Sequence, residues 1–305
     1  MKIAVMGTGS LGGYFGGQMA HAGLDVTFIA RGRHMEAIRE NGLQVNSPGN
    51  DFLIKPAKVT DNPAEVGPVD LILFAVKAYD AAPAANRMRP MVGAQTAILP
   101  VLNGIYHIDQ LSEILGREHV LGGMAACGAH VVAPGVIQHT TLNTITFGEL
   151  EGGTSERCEK IQAALAPSGI QLVVSPDVMQ SMWLKLANLS GLGVCSAARG
   201  SFFVIRSTPE LLELVRRAAA ETVNLAHARH IALSDTLPDQ LVTILKNAAS
   251  DFKPSMLVDL EHGRRLEIES LNGAVSHMGK ELGVLTPVNA YIYACLKPWA
   301  NGVLI

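Results

Sequence analysis

The chain has 305 residues, of which 48% are hydrophobic and 17% charged, and its formal net charge is −3 at pH 7. This composition excludes an intrinsically disordered chain, and the length favours two domains. The net charge excludes the basic surface with which proteins bind nucleic acid or anionic membranes, and no apolar run is long enough to span a bilayer. Four separated cysteines without a C-x-x-C pair predict free thiols and no metal site. With a strand in place of a signal peptide at its start, the chain is expected to be cytoplasmic.

The first thirty residues carry a nucleotide-binding pattern. An apolar run, Met1 to Met6, predicts a buried parallel strand, and G-x-G-x-x-G spacing follows it directly. Apolar residues at helical spacing and a second β-rich run, Leu24 to Ala30, complete the length of one βαβ unit. Backbone N–H groups at the helix start would then face a dinucleotide pyrophosphate. We expect the cofactor to be bound by Gly7, Thr8, Gly9, Ser10, Leu11 and Gly12.

The end of the second strand indicates which dinucleotide is bound. NAD sites usually place Asp or Glu there, to bond the ribose 2′-hydroxyl. This chain has Arg31, with Arg33 close behind and no acidic residue between Asp25 and Glu36. A guanidinium matches a 2′-phosphate, which it can hold with two hydrogen bonds. Arg31 therefore predicts NADPH, and the plainer alternative is a solvated charge at a strand end.

Two further apolar runs predict the third and fourth parallel strands. They are Val69 to Val76 and Ile98 to Leu102, and Lys77 and Asn103 follow them. Ligands of open α/β sheets bind beyond the carboxyl ends of the strands, so both residues are candidates for the site. The alternatives are a surface lysine and an ordinary Asn-Gly turn.

The rest of the first half is predicted to finish the sheet. Two β-rich runs between Val120 and Leu150 flank Ala133-Pro134-Gly135 and predict an antiparallel hairpin at the edge of the parallel sheet. Ser155 is placed to cap a helix that runs to about Ala166. Ile170 to Val174 then predicts the last strand.

Beyond residue 175 the β pattern gives way to helical spacing. Helices are predicted over a segment that contains Met179 to Leu189, and over Pro209 to Arg229, Leu237 to Ser250 and Arg265 to Leu282. The sequence therefore predicts an α/β protein. Residues 1–174 are predicted to form an N-terminal Rossmann-type doubly wound sheet that binds NADP, and residues 175–305 a C-terminal all-helical domain. Exposed apolar helix faces would allow a homodimer.

The helical half contains the candidate catalytic groups. Lys185 is the only Lys, Arg, His, Asp or Glu between positions 178 and 198. A lone lysine in an apolar helix is costly unless it reaches solvent or has a function. The functional interpretation is a general acid that protonates a carbonyl during hydride transfer. Ser255 could bond a carboxylate, and Glu267 could hold a substrate hydroxyl or orient Lys185. Glu267 and Glu269 could instead be a solvated helix start.

Together these motifs resemble the ketopantoate reductase family, the 2-dehydropantoate 2-reductases of the 6-phosphogluconate dehydrogenase-like superfamily. The resemblance covers nearly the whole chain, and its motifs follow one another in the family's order. They are Gly7-x-Gly9-x-x-Gly12, Arg31, Val76-Lys77, Leu102-Asn103-Gly104, Trp183-x-Lys185-Leu186, Pro254-Ser255-Met256-Leu257-x-Asp259 and Glu267-Ile268-Glu269-x-x-Asn272-Gly273.

The resemblance implies a reaction and a role for each candidate residue. The reaction is the NADPH-dependent reduction of 2-dehydropantoate to (R)-pantoate, on the route to pantothenate and coenzyme A. Lys185 would be the general acid and Glu267 would position the substrate hydroxyl. The residues implied to contact substrate are Asn103 and Ser255, and Asn188 is a further candidate for the substrate site. Lys77 would line the cleft for cofactor and substrate, with Asn103 also near the cofactor.

The chain departs from the family in its amide side chains. The family usually has asparagines four and eight residues after the lysine and often has another three residues before the serine. This chain has Leu189, Gly193 and Phe252 there, and Asn188 is turned off the family's helix face. The substrate pocket is therefore expected to be more apolar. The alternatives to ketopantoate are a bulkier or less hydroxylated 2-oxo acid, an opine-type or sugar-acid substrate, and a non-catalytic NADPH-binding sensor.

Overall fold

The protein consists of two compact units. The computed structural model describes residues 1–248 and 252–303. The first unit comprises Met1–Leu102 and His107–Val178, and the second comprises Asn103–Tyr106 and Met179–Ile305. The sequence-based boundary between residues 174 and 175 lies close to this division, but the short segment Asn103–Tyr106 groups with the second unit.

A parallel sheet forms the centre of the first unit. Its strands are β1 (Lys2–Met6), β2 (Asp25–Ile29), β5 (Lys58–Thr60), β6 (Val69–Phe74) and β7 (Val92–Pro100). They lie in the order β5-β2-β1-β6-β7, and every pairing is parallel. The apolar run predicted as the third strand is β6, because three short strands that were not predicted lie between β2 and this run. The predicted doubly wound fold class is confirmed, since its central strands are buried and helices connect them.

A second sheet was not foreseen. It contains β3 (Leu43–Asn46), β4 (Phe52–Ile54), β8 (Gly122–Ala133), β9 (Val136–Gly148) and β10 (Gln171–Val174). The predicted antiparallel hairpin is present as β8 and β9, but its attachment to the edge of the parallel sheet was wrong. Strand β9 pairs in parallel with β3 and β10, and these partners place the hairpin in the second sheet. One isolated bridge, from Ile98 to Val120, joins β7 to the chain just before β8.

Helix α1 (Ser10–His21) packs closely on both sheets through its glycines. A Cβ on Gly16 would come within 2.6 Å of Val5 on β1, and a Cβ on Gly13 would come within 2.8 Å of Ile137 on β9. Real Cβ contacts are longer than this, so these positions must be small for α1 to keep its place. The other helices of this unit are α2 (Gly32–Asn41), α3 (Ala81–Met88), α4 (Tyr106–Leu115) and α5 (Glu156–Leu165).

The second unit is helical, as predicted. Its helices are α6 (Val178–Ala197), α7 (Phe202–Arg206), α8 (Pro209–Ala228), α9 (Leu237–Asn247), α10 (Ser255–Glu261), α11 (Asn272–Leu282) and α12 (Pro287–Leu296). The predicted helix from Leu237 corresponds to α9, although its expected end at Ser250 lies outside the described residues. None of the helices in the described ranges combines the length and the sustained hydropathy that crossing a lipid bilayer demands.

One helix start was predicted seven residues too early. Helix α11 begins at Asn272 and not at Arg265. The chain turns instead before Asn272, because the N–H of Ser270 and its hydroxyl both donate to the carbonyl oxygen of Glu267, at 3.1 and 2.9 Å. Glu267 therefore lies in a turn and is only 7% exposed, so the interpretation as a solvated helix start was wrong.

Candidate active site

The glycine loop between β1 and α1 forms an open cradle. Gly7 has φ +97°, and a side chain on Gly12 would overlap the carbonyl oxygen of Gly7. No atom lies within 4 Å of the Cβ that Gly9 lacks, so the backbone is open on that side. Gly9 caps α1 without a side-chain hydrogen bond, so no cap side chain occupies the first N–H groups of the helix. This shape and these donors fit a pyrophosphate.

The individual loop residues differ in what they offer. The N–H of Thr8 and its hydroxyl both donate to the carbonyl oxygen of Ile29, at 3.2 and 3.0 Å. Thr8 therefore anchors the loop to β2, and its polar groups face the protein. Ser10 begins α1, and Leu11 is half-buried against the core.

A pocket next to the loop contains Arg31. Apolar side chains form part of its wall, and the charged side chains in its lining are Arg31, Asp80 and Arg87. The Arg31 guanidinium is exposed and lies 3.8 Å from the Asp80 carboxylate. Apolar walls and two guanidinium groups fit an adenine and a 2′-phosphate, so the residues present fit NADPH. Lys77, exposed, begins the turn that follows β6 in the same unit.

Lys185 lies in the middle of α6, between the buried side chains of Trp183 and Leu186. Part of its side chain is accessible, while the ammonium group is surrounded by protein. Burial lowers the pKa of Lys185 to about 8, and the nearby Glu267 carboxylate opposes this shift. At neutral pH the ammonium form dominates, yet it gives up its proton far more readily than an ordinary lysine.

Glu267 and Asn103 meet in the second unit. Asn103 Nδ2 donates a hydrogen bond of 3.3 Å to Glu267 Oε2. The approach depends on Gly104, which has φ +84° and whose missing Cβ would lie 2.5 Å from the Ser270 carbonyl oxygen. An amide, a buried carboxylate and the Lys185 ammonium thus belong to one unit, although 164 positions separate Asn103 from Glu267.

Glu269 serves a different purpose from Glu267. Its carboxylate accepts a 2.9 Å hydrogen bond from the Tyr293 hydroxyl and pairs with Lys297 at the surface. Glu267 and Glu269, two residues apart in the turn, therefore have different surroundings: Glu267 is buried and Glu269 lies at the surface. Only Glu267 of the two is close enough to Lys185 to influence its pKa.

Ser255 and Phe252 belong to the segment that leads into α10 in the second unit. Ser255 is exposed as the first residue of α10, and Asp259 four residues later forms a 2.9 Å ion pair with Arg264. The Phe252 ring packs on Phe202 with centroids 4.8 Å apart and is 50% exposed. An aromatic pair thus occupies the position where the resemblance leads one to expect an amide.

Packing explains why position 193 is glycine and not the asparagine that is usual in the family. A side chain on Gly193 would overlap the amide of Asn272, which is fully buried. Asn272 Nδ2 donates to the Ser190 carbonyl oxygen and to Asn289 Oδ1, both at 2.9 Å. Asn272 thereby ties α11 to α6, the helix of Lys185. Asn188 is half-buried on α6.

Comparison with known families covers both units. The family model "Ketopantoate reductase PanE/ApbA" matches residues 3–152, and "Ketopantoate reductase PanE/ApbA C terminal" matches residues 177–300. The chain belongs to the ketopantoate reductase family. The predicted family and enzyme class, an NADPH-dependent 2-oxo acid reductase, are thereby confirmed, as is the cofactor.

Individual relatives extend over almost the full chain. The 2-dehydropantoate 2-reductase of Mesorhizobium japonicum is 30% identical, with 97% of each chain covered. The crystal structure of 2-dehydropantoate 2-reductase from Geobacter metallireducens has a TM-score of 0.91 and 30% identity, covering 98% of this chain and 99% of that one. D-mandelate dehydrogenase in a ternary structure with NADH and anilino(oxo)acetate has a TM-score of 0.90 and 25% identity, covering 98% of each chain.

Several residues of the site were not singled out by sequence reasoning. Asp80 was missed, and Gly104, Ser270 and Asn272 were quoted only as parts of motifs. Gly104 adjoins Asn103, and its place in an Asn-Gly pair was the one available signal. The pairings of Asp80 with Arg31 and of Asn272 with Gly193 join distant parts of the chain and leave no local pattern.

Proposed function

We propose that this protein catalyses the NADPH-dependent reduction of a 2-oxo acid to the 2-hydroxy acid, with 2-dehydropantoate as the first candidate substrate and (R)-pantoate as its product. The observation that carries the proposal is the combination of Lys185, the buried Glu267 and Asn103 in one unit. A protein that only binds the dinucleotide has no need for a lysine with a lowered pKa beside a buried carboxylate.

The proposed proton donor is Lys185. NADPH, when bound, would supply the hydride for the carbonyl carbon. As negative charge develops on the carbonyl oxygen, the Lys185 ammonium donates its proton to that oxygen, and the hydroxyl forms. With a pKa of about 8, the lysine is protonated at neutral pH and is a stronger acid than a solvated lysine.

Glu267 and Asn103 are proposed to hold the lysine and the substrate in place. The Glu267 carboxylate favours the ammonium form of Lys185 and can accept a hydrogen bond from a substrate hydroxyl. Asn103, which donates to Glu267, orients that carboxylate. Ser255 and Asn188 are proposed as further substrate contacts, with the exposed Ser255 hydroxyl as a donor to the substrate carboxylate.

The first unit is proposed to bind the cofactor. The glycine loop from Gly7 to Gly12 would hold the pyrophosphate, and Arg31 the 2′-phosphate. Lys77 and Asn103 are proposed as additional residues near the cofactor. Pantothenate biosynthesis is the pathway proposed with the ketopantoate activity.

A second candidate substrate is a bulkier or less hydroxylated 2-oxo acid. Fewer amides are left for a polyhydroxylated substrate, because Phe252, Leu189 and Gly193 occupy the positions of the family's asparagines. Phe252 packs against Phe202, and Gly193 lies against Asn272. Each substrate hydroxyl without a partner costs about 1–3 kcal/mol. A relative of the same fold, D-mandelate dehydrogenase, is named for an aromatic 2-hydroxy acid.

The deciding experiment is NADPH oxidation by the purified protein across a panel of 2-oxo acids. The panel contains ketopantoate, 2-oxoisovalerate and phenylglyoxylate, which differ in hydroxyl content and bulk. The highest kcat/KM for ketopantoate supports the first candidate, and the highest value for phenylglyoxylate supports the second. Tight NADPH binding without turnover of any member would contradict the proposed reaction and support a sensor.

A further inference from the structure

The Arg31 pocket contains a carboxylate whose presence a 2′-phosphate site does not explain. Asp80 ends the short turn Ala78–Asp80 after β6, and it lines the pocket together with Arg31 and Arg87. Its carboxylate oxygen lies 3.8 Å from the Arg31 guanidinium, and the two side chains are 38% and 69% exposed. A negative charge therefore stands beside the group that is expected to receive a dianionic phosphate.

Stability does not account for this pair. The separation is longer than a hydrogen bond, and an exposed ion pair of this kind contributes little to folding. The chemistry of the pocket offers a better reason. NAD sites use a carboxylate to accept a hydrogen bond from the ribose 2′-hydroxyl, and they take it from the end of the second strand. In this chain that position is Arg31, and the carboxylate of the pocket comes from the turn after β6 instead.

We propose that Asp80 is a specificity-determining residue that narrows the preference of this protein for NADPH over NADH. Its carboxylate repels the 2′-phosphate of NADPH and accepts a hydrogen bond from the 2′-hydroxyl of NADH. Arg31 acts in the opposite direction, so the two side chains together set the ratio of the two affinities. The inference concerns cofactor binding alone and does not depend on which 2-oxo acid is reduced.

The test measures dissociation constants for the apo protein and its Asp80→Asn variant. The ligands are NADPH and NADH, with 2′,5′-ADP and 5′-AMP as fragments that differ by the 2′-phosphate alone. Asp70→Asn is the matched control, because it removes the same charge from the amino-terminal part of β6, at the opposite end of the strand from the pocket. Fluorescence titration and calorimetry need no turnover, so the result is independent of the proposed reaction.

Removing the Asp80 charge is expected to tighten the binding of NADPH and 2′,5′-ADP by about three- to tenfold, because the repulsion between the carboxylate and the 2′-phosphate is lost. NADH binding is expected to weaken by about two- to fivefold, because an amide is a weaker hydrogen-bond acceptor than a carboxylate. The ratio of the two dissociation constants is thus expected to change by about 6- to 50-fold. At about 0.5 M salt the gain for 2′,5′-ADP is expected to shrink, since screening weakens the interaction between exposed charges.

Three results would overturn the proposal. Weaker NADPH binding by Asp80→Asn would mean that Asp80 holds Arg31 in its binding position, and an unchanged ratio would mean that Asp80 has no influence on the cofactor. A change of equal size in Asp70→Asn would assign the effect to net charge, which also contradicts a specific role. Circular dichroism of each variant shows whether the fold is retained, and Asp80→Ser provides a second variant that removes the charge.

Discussion

Asn103 donates a hydrogen bond to Glu267, and this contact joins the loop after β7 to the turn before α11. Neither residue lies in a helix or strand, and both belong to the second unit with Lys185. Gly104 allows the approach, because any side chain there would press on the carbonyl of Ser270. The pair therefore gives the Glu267 carboxylate a defined orientation next to the proposed proton donor.

Replacement of Lys185 by alanine is expected to lower kcat for NADPH-dependent reduction by about 100-fold or more, because the general acid is lost. The NADPH dissociation constant should stay within about twofold of the parent value. Lys280→Ala, an exposed lysine of α11, is the control for loss of a positive charge. Unimpaired turnover by the Lys185 variant would remove this residue from the proposed role.

The rate of reduction is expected to fall as the pH rises through the pKa of Lys185, about 8 in the free protein. The sign follows from the chemistry, since only the protonated lysine can donate and it is fully protonated well below that pH. Ordinary lysine titrates about two units higher, so the position of the alkaline limb in kcat/KM against pH identifies the group. A rate that is constant to pH 10 would contradict a lysine donor with a lowered pKa.

Glu267→Gln is expected to move that alkaline limb to lower pH. The Glu267 carboxylate stabilises the ammonium form of Lys185, and without it burial acts unopposed and lowers the pKa further. The measurement is the pH dependence of kcat/KM for the variant beside the parent, with Glu269→Gln as the matched control two residues away. A limb that stays in place, or that moves equally in the control, would separate Glu267 from the titration of Lys185.

Arg31→Ala is expected to weaken NADPH binding by about 10- to 100-fold, the value of the charge-assisted hydrogen bonds that a guanidinium makes to phosphate. NADH binding should change by less than about threefold, because NADH has no 2′-phosphate. Arg33→Ala removes a neighbouring exposed charge and serves as the control. Equal losses for both dinucleotides would refute the assignment of Arg31 to the 2′-phosphate.

Gly193→Ala is expected to destabilise the protein by about 1–3 kcal/mol, since the added methyl group would overlap the buried Asn272 amide. The free energy of unfolding from urea denaturation measures the cost. In a double-mutant cycle with Asn272→Ala, the methyl group should cost less once the amide is absent. Additive losses would show that Gly193 is required for another reason.

The local features of this protein could be predicted from its sequence because they depend on residues close together in the chain. The glycine loop and Arg31 need only the spacing of one βαβ unit, and the Ser155 cap of α5 is a contact within one helical turn. Residue types at helical spacing were likewise sufficient for α8, whose predicted and observed bounds agree within one residue. The family followed because several such motifs occur in order.

Tertiary structure decided what depends on distant partners. The hairpin of β8 and β9 was visible locally, but its sheet was decided by β3, which pairs with β9 from far along the chain. The sequence left Glu267 open between a site residue and an exposed helix start, and the hydrogen bonds of Ser270 and the amide of Asn103 place it in a buried turn. Strand pairing and charge placement are non-local interactions. The sequence by itself therefore determined the longer elements and the residues that carry the chemistry, while the folded chain decided which of them meet.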